Sequence, residues 1–226
     1  MKVIRLFSFI LVLPFLWVSG KQYKKKSFER KYIRLQRWCK FGLSWFGLKL
    51  NVKGLENIPL HQPIFLVSNH QGTTDPLLVI ASFPYPMSFV SKVQNKSFPG
   101  IGLWGSLIEV IFFDRDTKEG NIFMLREAAR YLKNKRNLLV FPEGTRSRSD
   151  SVSEFKPGAL QPAMMTKSTI LPVTLNQSYA LDVKEKIKHV SITYHKPIEF
   201  EAYQGMSYDD LSLHIFSIIK AGITTN

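Results

Sequence analysis

One histidine and one aspartate lie five positions apart in the stretch NHQGTTD, directly after an apolar run. A strand ending at residue 68 or 69 would bring His70 to the carboxyl edge of a sheet, where ligand clefts form in open α/β folds. Asp75, at the start of the next helix, would bind one imidazole nitrogen and leave the other as a base. Taken alone, the spacing is a weak signal that fits two structural or incidental polar loop residues as well as an acid–base pair.

Two further polar clusters follow apolar runs. FPEGTRS, residues 141–147, offers a glycine turn with backbone amides, a hydroxyl and the guanidinium of Arg146, a set that can hold a phosphate. It lacks the lysine and the spacing of a P-loop, so nucleotide hydrolysis is not indicated. FFDRD, residues 112–116, puts Arg115 at the end of another apolar run. Alone, each cluster also fits a plain turn or a solvated strand end.

Short apolar runs alternate with segments of helical periodicity and must position these residues. The predicted strands are residues 64–68, 87–91, 107–113, 137–141, 169–175 and 189–195. The predicted helices are residues 75–83, 119–135 and 207–223. Residues 147–155 are predicted to form a mobile surface loop. The alternation implies a single α/β domain with a mostly parallel or mixed central sheet flanked by helices.

Composition and charge divide the chain in two. With 226 residues and 45% hydrophobic content it is a folded protein, and its single cysteine, Cys39, excludes an intrachain disulfide and a cysteine-built zinc site. Residues 1–50 carry 12 Lys and Arg against one acid, whereas residues 51–226 carry 19 against 16. We therefore predict an N-terminal basic segment over 1–50 and a catalytic domain over 51–226.

The N-terminal segment predicts contact with a membrane. Residues 6–18 are apolar apart from Ser8, but 13 residues fall short of a spanning helix and Pro14 would kink it. We expect residues 3–19 to anchor in or dip into a bilayer, preceding the catalytic domain as a membrane-associated helix; a cleaved signal peptide and a buried core helix are alternatives. The lysines that follow favour the cytoplasmic side.

Residues 27–50 predict a basic amphipathic helix. One helical stripe carries Phe28, Tyr32, Leu35 and Cys39, and another carries Arg30, Arg34, Arg37 and Lys40. This pattern is typical of helices in the lipid headgroup layer, while a core-packing helix with a solvated charged face is the alternative. Nucleic-acid binding is not favoured, because no recognition motif follows.

Taken together, the clusters resemble the glycerolipid acyltransferase superfamily, specifically the bacterial 1-acyl-sn-glycerol-3-phosphate acyltransferases. That family carries, in order, Asn-His-x-x-x-x-Asp, Gly-x-x-Phe-(Ile/Val)-x-Arg, Phe-Pro-Glu-Gly-Thr-Arg and an apolar block with Val/Ile-Pro. The corresponding stretches here are NHQGTTD, EVIFFDR, FPEGTRS and ILPV, spread over about residues 50–180.

The resemblance implies transfer of a fatty acyl group from acyl-CoA or acyl-carrier protein to the sn-2 hydroxyl of 1-acyl-glycerol 3-phosphate, forming phosphatidic acid. His70 and Asp75 would be the general-base pair, and Lys92 is a candidate for stabilising the oxyanion, with a solvated lysine as the alternative. The residues implied to bind the acceptor phosphate are Arg115, Glu143, Gly144, Thr145 and Arg146, Glu143 chiefly by organising the loop, and Gly158 would help to shape the cleft.

No metal or cofactor is implied, and no Gly-x-Ser-x-Gly nucleophile elbow occurs in the sequence. The expected partners are the lysophospholipid, the acyl thioester, a membrane surface and, as one candidate donor, acyl-carrier protein, but no nucleic acid. The expected location is the cytoplasmic face of the inner or plasma membrane. The alternatives are a related acyltransferase with another lysophospholipid or glycerol 3-phosphate as acceptor, and a non-catalytic lipid-binding scaffold.

Two residues depart from the family pattern. Gly72 stands where the family usually has serine, and neighbouring Thr73 can supply a hydroxyl instead. Glu109 stands where the family usually has glycine, and its carboxylate is expected to lie against the phosphate site and to alter the choice of acceptor headgroup. The remaining histidines are expected to be solvated or structural: His61, His189, His195 and His214.

Overall fold

The structure is a computed structural model that describes residues 12–60, 63–98, 100–182 and 189–224. Within these ranges the strands are β1 (Lys49–Lys53), β2 (Ile64–Ser68), β3 (Met87–Lys92), β4 (Ile111–Phe113), β5 (Asn137–Val140), β6 (Thr169–Asn176) and β7 (His189–Tyr194). The α-helices are α1 (Leu13–Tyr23), α2 (Phe28–Trp45), α3 (Asp75–Ser82), α4 (Ile101–Leu107), α5 (Lys118–Lys133), α6 (Gln161–Thr166), α7 (Phe200–Tyr203) and α8 (Tyr208–Ala221). Short 3₁₀ turns cover Leu55–Asn57, Val93–Ser97 and Ser178–Leu181.

All seven strands form one mixed sheet in the order β1-β7-β6-β2-β5-β3-β4. Neighbouring strands are parallel except β6 and β7, which are antiparallel. The predicted α/β architecture with a mixed central sheet is confirmed. Because β2, β5, β3 and β4 are adjacent and parallel, their carboxyl ends form one edge of the sheet, called the carboxyl edge below; their amino ends form the amino edge.

The hydrophobic core lies on both faces of the sheet. In β2, Ile64 and Leu66 face the layer of α1 to α4, whereas Phe65 and Val67 face the layer of α5 to α8. All four side chains are fully buried, and burying a side chain of this size contributes about 1.5–3 kcal/mol. A strand buried on both faces is a rigid base for the loop that follows it.

Helix α2 packs into this core through the stripe that was expected to face lipid. Tyr32, Leu35 and Cys39 are buried in the cluster with α3 and α4. The Gln36 side chain donates hydrogen bonds of 2.9 and 2.8 Å to the carbonyls of residues 80 and 83, at the end of α3. The headgroup-layer interpretation of this stripe is therefore wrong, because the sheet and α3 offer it an apolar partner inside the protein.

Helix α1 packs against α4. The Trp104 indole N–H donates to the carbonyl of Leu16 at 3.0 Å, and a Cβ at Gly20 would lie 2.7 Å from the Leu103 side chain. Residues 6–11 of the predicted apolar segment lie outside the described residues. Across the described ranges, none of the helices combines the length and the apolar content that a bilayer span requires.

The predicted strand 107–113 is partly wrong, because its first residues end a helix. The Val110 amide donates to the Gly105 carbonyl at 2.8 Å, which is the closing bond of a Schellman motif. Glu109 therefore takes the left-handed conformation, with φ +59°, and β4 begins only at Ile111. A glycine would adopt this conformation without strain.

The position of Glu109 also overturns its expected contact with the phosphate site. Its Oε2 accepts from Arg136 Nη1 at 2.6 Å, and the two residues precede β4 and β5, at the amino edge. The guanidinium lies over the Phe28 ring, 4.5 Å from its centroid. Through Arg136, the glutamate connects the segments that precede β4 and β5 with the start of α2, at the edge opposite to the candidate site.

Candidate active site

His70 is held at the carboxyl edge by its neighbour Asn69. The buried Asn69 side chain donates to the Leu175 carbonyl at 2.9 Å and accepts from the Leu175 amide at 2.8 Å. These two hydrogen bonds to β6 fix the position of the chain where it leaves β2. The His70 side chain is 19% exposed, so one part of the ring faces the cleft while the rest is enclosed.

Asp75 holds the His70 ring by a direct contact. His70 Nδ1 lies 2.8 Å from Asp75 Oδ2, which also accepts from the backbone amides of Gln71 at 2.7 Å and Gly72 at 2.9 Å. An ionised carboxylate only accepts hydrogen bonds, so Nδ1 carries the proton and Nε2 of the neutral ring has a free lone pair. The Asp75 side chain is fully buried and fixes both the tautomer and the ring orientation.

The loop after β5 is joined to the histidine loop through Glu143. Glu143 is 1% exposed; its Oε1 accepts from the His70 amide at 2.7 Å and its Oε2 accepts from the Ser153 amide at 2.8 Å. Burial raises the pKa of this carboxyl, while the two amide hydrogen bonds act in the opposite direction. Both oxygens bind backbone amides, so Glu143 organises the loop, as expected, and does not point at an anion in the cleft.

Further bonds make the two loops one unit. The Ser147 amide donates to the His70 carbonyl at 2.8 Å, and the Arg148 amide donates to the Gln71 carbonyl at 3.2 Å. The rings of His70 and Phe141 stack with centroids 4.2 Å apart. Phe141 was not singled out from the sequence, although it opens the FPEGTRS motif.

Two guanidinium groups lie on this unit and are held mainly by neutral oxygens. Arg115 follows β4 and donates from Nη1 to the Gly144 carbonyl; its nearest carboxylate, Asp116, is 3.7 Å away. Arg146 donates from Nη1 to the Thr73 hydroxyl. The side chains of Arg115 and Arg146 are 30% and 39% exposed, so both cations are accessible to solvent.

The other predicted phosphate-binding residues lie on the same loop. Gly144 has φ +67° and closes a turn in which its amide donates to the Phe141 carbonyl at 3.1 Å. Thr145 is exposed beside it. Gly158 has φ +84°, a conformation that favours glycine.

Lys92 ends β3 at the same edge, in register with Phe113 of β4, and is half-buried. Its strand therefore brings it to the row of loops that carries His70 and Arg115. Its role with an oxyanion stays a prediction.

The departure at Gly72 has a steric reason. A Cβ at this position would lie 2.9 Å from the Ser178 carbonyl oxygen, so the turn at Ser178–Leu181 approaches too closely for a serine. The hydroxyl of the neighbouring Thr73 accepts from Arg146 Nη1; its role in place of a serine at residue 72 stays a prediction.

The segment 147–155 lies at the surface, as predicted, but several bonds tie it to the site. Phe155 is buried, and the Asp150 carboxylate accepts from the Gln71 side chain at 3.3 Å and from the Tyr179 hydroxyl at 3.2 Å. Sequence periodicity carried no signal for these contacts.

The remaining histidines behave as expected where they are described. His189 and His214 are exposed, whereas His61 lies outside the described residues. His195 Nε2 lies 2.8 Å from the Thr174 hydroxyl, which itself donates to a carbonyl of α8, and burial lowers the pKa of His195.

The hydrogen bonds therefore join a base and two cations on linked loops at the carboxyl edge of the sheet. Nε2 of His70 can accept a proton, and Arg115 and Arg146 can hold an anion on the adjoining loop. A substrate that fits has a hydroxyl and an anionic group a short distance apart.

Comparisons with known proteins show which family the chain resembles. A family model described as "Acyltransferase" matches residues 49–176, which include every predicted site residue. A 1-acyl-sn-glycerol-3-phosphate acyltransferase of Borreliella burgdorferi is 30% identical over 69% of this chain and 62% of its own length. A probable 1-acyl-sn-glycerol-3-phosphate acyltransferase of Mycoplasma pneumoniae is 26% identical over 85% of this chain and 78% of its own length.

The fold also matches a solved structure. The crystal structure of the 1-acyl-sn-glycerophosphate (LPA) acyltransferase PlsC from Thermotoga maritima superposes with a TM-score of 0.82. The match covers 98% of this chain and 92% of that chain at 24% sequence identity. At this identity the likeness concerns the fold.

Proposed function

Because the chain belongs to the acyltransferase family, we propose that it transfers a fatty acyl group from acyl-CoA or acyl-carrier protein to the sn-2 hydroxyl of 1-acyl-glycerol 3-phosphate. The product would be phosphatidic acid. The observation that supports this proposal is the linkage of the His70–Asp75 pair with Arg115 and Arg146 through neighbouring loops at the carboxyl edge. A base beside an anion clamp suits an acceptor that has both a hydroxyl and a phosphate.

His70 would act as the general base. An alcohol is a weak nucleophile at neutral pH, so Nε2 removes its proton as the oxygen attacks the thioester carbonyl, a contribution of typically about 10²- to 10⁴-fold. The buried carboxylate of Asp75 stabilises the imidazolium that forms. When the tetrahedral intermediate collapses, the C–S bond breaks and the imidazolium proton can pass to the leaving thiolate.

A covalent acyl-enzyme is not needed for this reaction. The thioester is already an activated acyl donor, and the sequence contains no Gly-x-Ser-x-Gly elbow. In the proposed reaction Lys92, at the end of β3, donates to the oxyanion of the tetrahedral intermediate.

The acceptor phosphate would bind between Arg115 and Arg146. Each guanidinium has five N–H donors. Arg115 uses one in its hydrogen bond to Gly144 and Arg146 uses one in its hydrogen bond to Thr73, which leaves donors for phosphate oxygens. The Thr145 hydroxyl and the backbone of the glycine turn add neutral donors. Glu143 supports the clamp indirectly through the amides of His70 and Ser153.

Docking at a lipid surface fits the outer faces of α1 and α2. Phe15, Trp17 and Phe41 are exposed large apolar side chains, and Arg30 and Arg37 are exposed on α2. Aromatic and basic residues side by side are typical of surfaces that bind anionic bilayers. We assign this surface to the cytoplasmic face of the membrane, because lysines follow the apolar N-terminal segment.

The test is an acceptor panel with the full-length protein in lipid vesicles. Radiolabelled acyl-CoA and acyl-carrier protein are each offered with lysophosphatidate, glycerol 3-phosphate, lysocardiolipin and lysophosphatidylcholine. We expect the highest kcat/KM with lysophosphatidate. If lysophosphatidate is the poorest of the acceptors that are turned over, the acceptor assignment is wrong.

Two variants control this panel. His70→Ala should lower turnover by about 10²- to 10⁴-fold while vesicle binding stays unchanged. His214→Ala, at an exposed position on α8, should leave both unchanged. A His70→Ala protein with the wild-type rate would exclude the base mechanism, and a wild-type protein that binds vesicles without turning over any acceptor would favour a lipid-binding scaffold.

A further inference from the structure

Asp182 reaches the candidate site from outside the segment that the family model matches. It follows the turn Ser178–Leu181, and its Oδ2 accepts from the Thr73 amide at 2.8 Å and from the Thr73 hydroxyl at 2.9 Å. Its side chain is 21% exposed. Asp182 thus binds both the backbone and the side chain of Thr73, three positions after His70.

The hydrogen bonds have a fixed direction. Because the Thr73 hydroxyl donates its proton to Asp182, its lone pairs are directed elsewhere, and one accepts from Arg146 Nη1. The direct separation between Arg146 Nη1 and Asp182 Oδ2 is 3.8 Å, longer than a hydrogen bond. Asp182 is therefore linked to the guanidinium by hydrogen bonds only through the threonine, beside a direct ion-pair contact at 3.8 Å.

The position of Asp182 is itself fixed by the histidine loop. Gln71 Oε1 accepts from both the amide and the hydroxyl of Ser178, at 3.0 and 3.1 Å, and both residues are buried. The Gly72 backbone lies close against the Ser178 carbonyl. The turn that carries Asp182 is thus docked on the loop that carries His70.

We propose that Asp182 is a positioning residue that selects acceptors with a phosphate group by holding Arg146 in place through Thr73. This inference rests on the proposed function. A free arginine side chain loses much rotational freedom when it binds an anion, and ordering it beforehand removes part of that cost. An acceptor without a phosphate gains nothing from the arrangement.

The variants separate the hydrogen bonds of Asp182 from its charge. Asp182→Asn keeps an oxygen that can accept both bonds from Thr73, whereas Asp182→Ala removes the acceptor. We expect Asp182→Ala to raise the KM for lysophosphatidate by about 3- to 10-fold with little change in kcat, the cost of ordering one long side chain. Asp182→Asn should stay within about twofold of wild type, and Thr73→Val should resemble Asp182→Ala.

A binding measurement makes the test independent of turnover. Calorimetric titration with glycerol 3-phosphate should give a similar loss of affinity in Asp182→Ala and little loss in Asp182→Asn. Asp182→Ala in an Arg146→Ala background should cause no further loss of affinity, because Asp182 is proposed to act through Arg146. Asp209→Ala, which removes an exposed aspartate in the first turn of α8, is the matched control.

Each outcome bears on one proposal. If Asp182→Ala binds glycerol 3-phosphate as tightly as wild type does, Asp182 does not position the clamp. If Asp182→Asn binds it more tightly than wild type, Asp182 also does not position the clamp, and its charge opposes the anion. If Asp182→Ala weakens the binding of glycerol 3-phosphate equally in the wild-type and Arg146→Ala backgrounds, the role of Asp182 is structural. If the variants behave as expected in calorimetry but the wild type acylates no lysophosphatidate, the positioning role holds and the proposed acceptor does not.

Discussion

The two edges of the sheet both bring acidic and basic side chains together, but they use them differently. At the amino edge, Glu109 and Arg136 form a direct ion pair of 2.6 Å with both side chains partly exposed. At the carboxyl edge, Arg115 and Arg146 bind a carbonyl and a hydroxyl, and their nearest carboxylates lie 3.7 and 3.8 Å away. The first arrangement satisfies its charges internally; the second keeps positive charge available for a ligand.

The carboxylates at the carboxyl edge differ in the same way. Asp75 and Glu143 are buried and accept hydrogen bonds from the histidine ring or from backbone amides. Burying a carboxylate costs free energy that such bonds must offset. Both acids are therefore committed to the shape of the loops, which explains why neither neutralises the two guanidinium groups.

The largest expected effect follows from removing the Asp75 charge. Asp75→Asn keeps the shape of the side chain and an oxygen for the Gln71 and Gly72 amides. It removes the negative charge that stabilises the imidazolium and weakens the control of the tautomer. We expect kcat to fall by about 10²- to 10⁴-fold, measured with acyl-CoA and lysophosphatidate.

Binding and folding distinguish this effect from disruption of the site. Affinity for glycerol 3-phosphate should change little, because Arg115 and Arg146 are untouched, and thermal unfolding followed by circular dichroism should stay cooperative. The matched control is Asp209→Asn. A well-folded Asp75→Asn protein with near-wild-type kcat would contradict the general-base role of the pair.

A smaller effect is expected from Glu143→Gln. The carboxylate accepts from two backbone amides, of His70 and Ser153, whereas a glutamine side chain has one accepting oxygen and one donating nitrogen. One amide then loses its acceptor in a buried site. We expect the free energy of unfolding to fall by about 1–3 kcal/mol, measured by urea denaturation.

The exposed Glu154 of the same loop supplies the control for this change. Glu154→Gln should leave the free energy of unfolding within about 0.5 kcal/mol of wild type. If the two variants are equally stable, the hydrogen bonds of Glu143 contribute nothing measurable to the free energy of unfolding.

The family and the central sheet could be predicted because their signals are local. Strands β2 and β6 contain short apolar runs, IFLV and ILPV, and the His70–Asp75 contact spans only one strand end and one helix start. The boundary between α4 and β4 was missed, because apolar residues lie on both sides of Glu109 and its left-handed turn leaves no periodic signal.

The rest of the site depends on contacts between distant segments. Asp182 lies 109 positions from Thr73, and the turn that carries it is bound to the histidine loop by the hydrogen bond between Gln71 and Ser178. The stripe of α2 could be recognised as amphipathic, but periodicity does not distinguish a partner inside the protein from lipid. The Glu109 prediction was wrong because closeness in sequence to Arg115 placed it at the site, while β4 carries the two residues to opposite edges.

The smallest effect is expected at the amino edge, from Glu109→Gly. The substitution removes an ion pair between partly exposed groups, worth about 0.2–1 kcal/mol. It also relieves a left-handed conformation that costs a non-glycine residue about 1 kcal/mol or more. The two contributions nearly cancel, so the net change in the free energy of unfolding should stay within about 1 kcal/mol of zero.

Glu109→Gln separates these contributions, because it removes the charge and keeps the strain. The glycine variant should therefore be more stable than the glutamine variant by about 1 kcal/mol, measured by thermal and urea unfolding. Both should leave the KM for lysophosphatidate and the order of acceptors unchanged, since the carboxylate lies on the far edge of the sheet. A changed acceptor order in both variants would mean that the amino edge does reach the acceptor site, and the functional contrast between the two edges would fail.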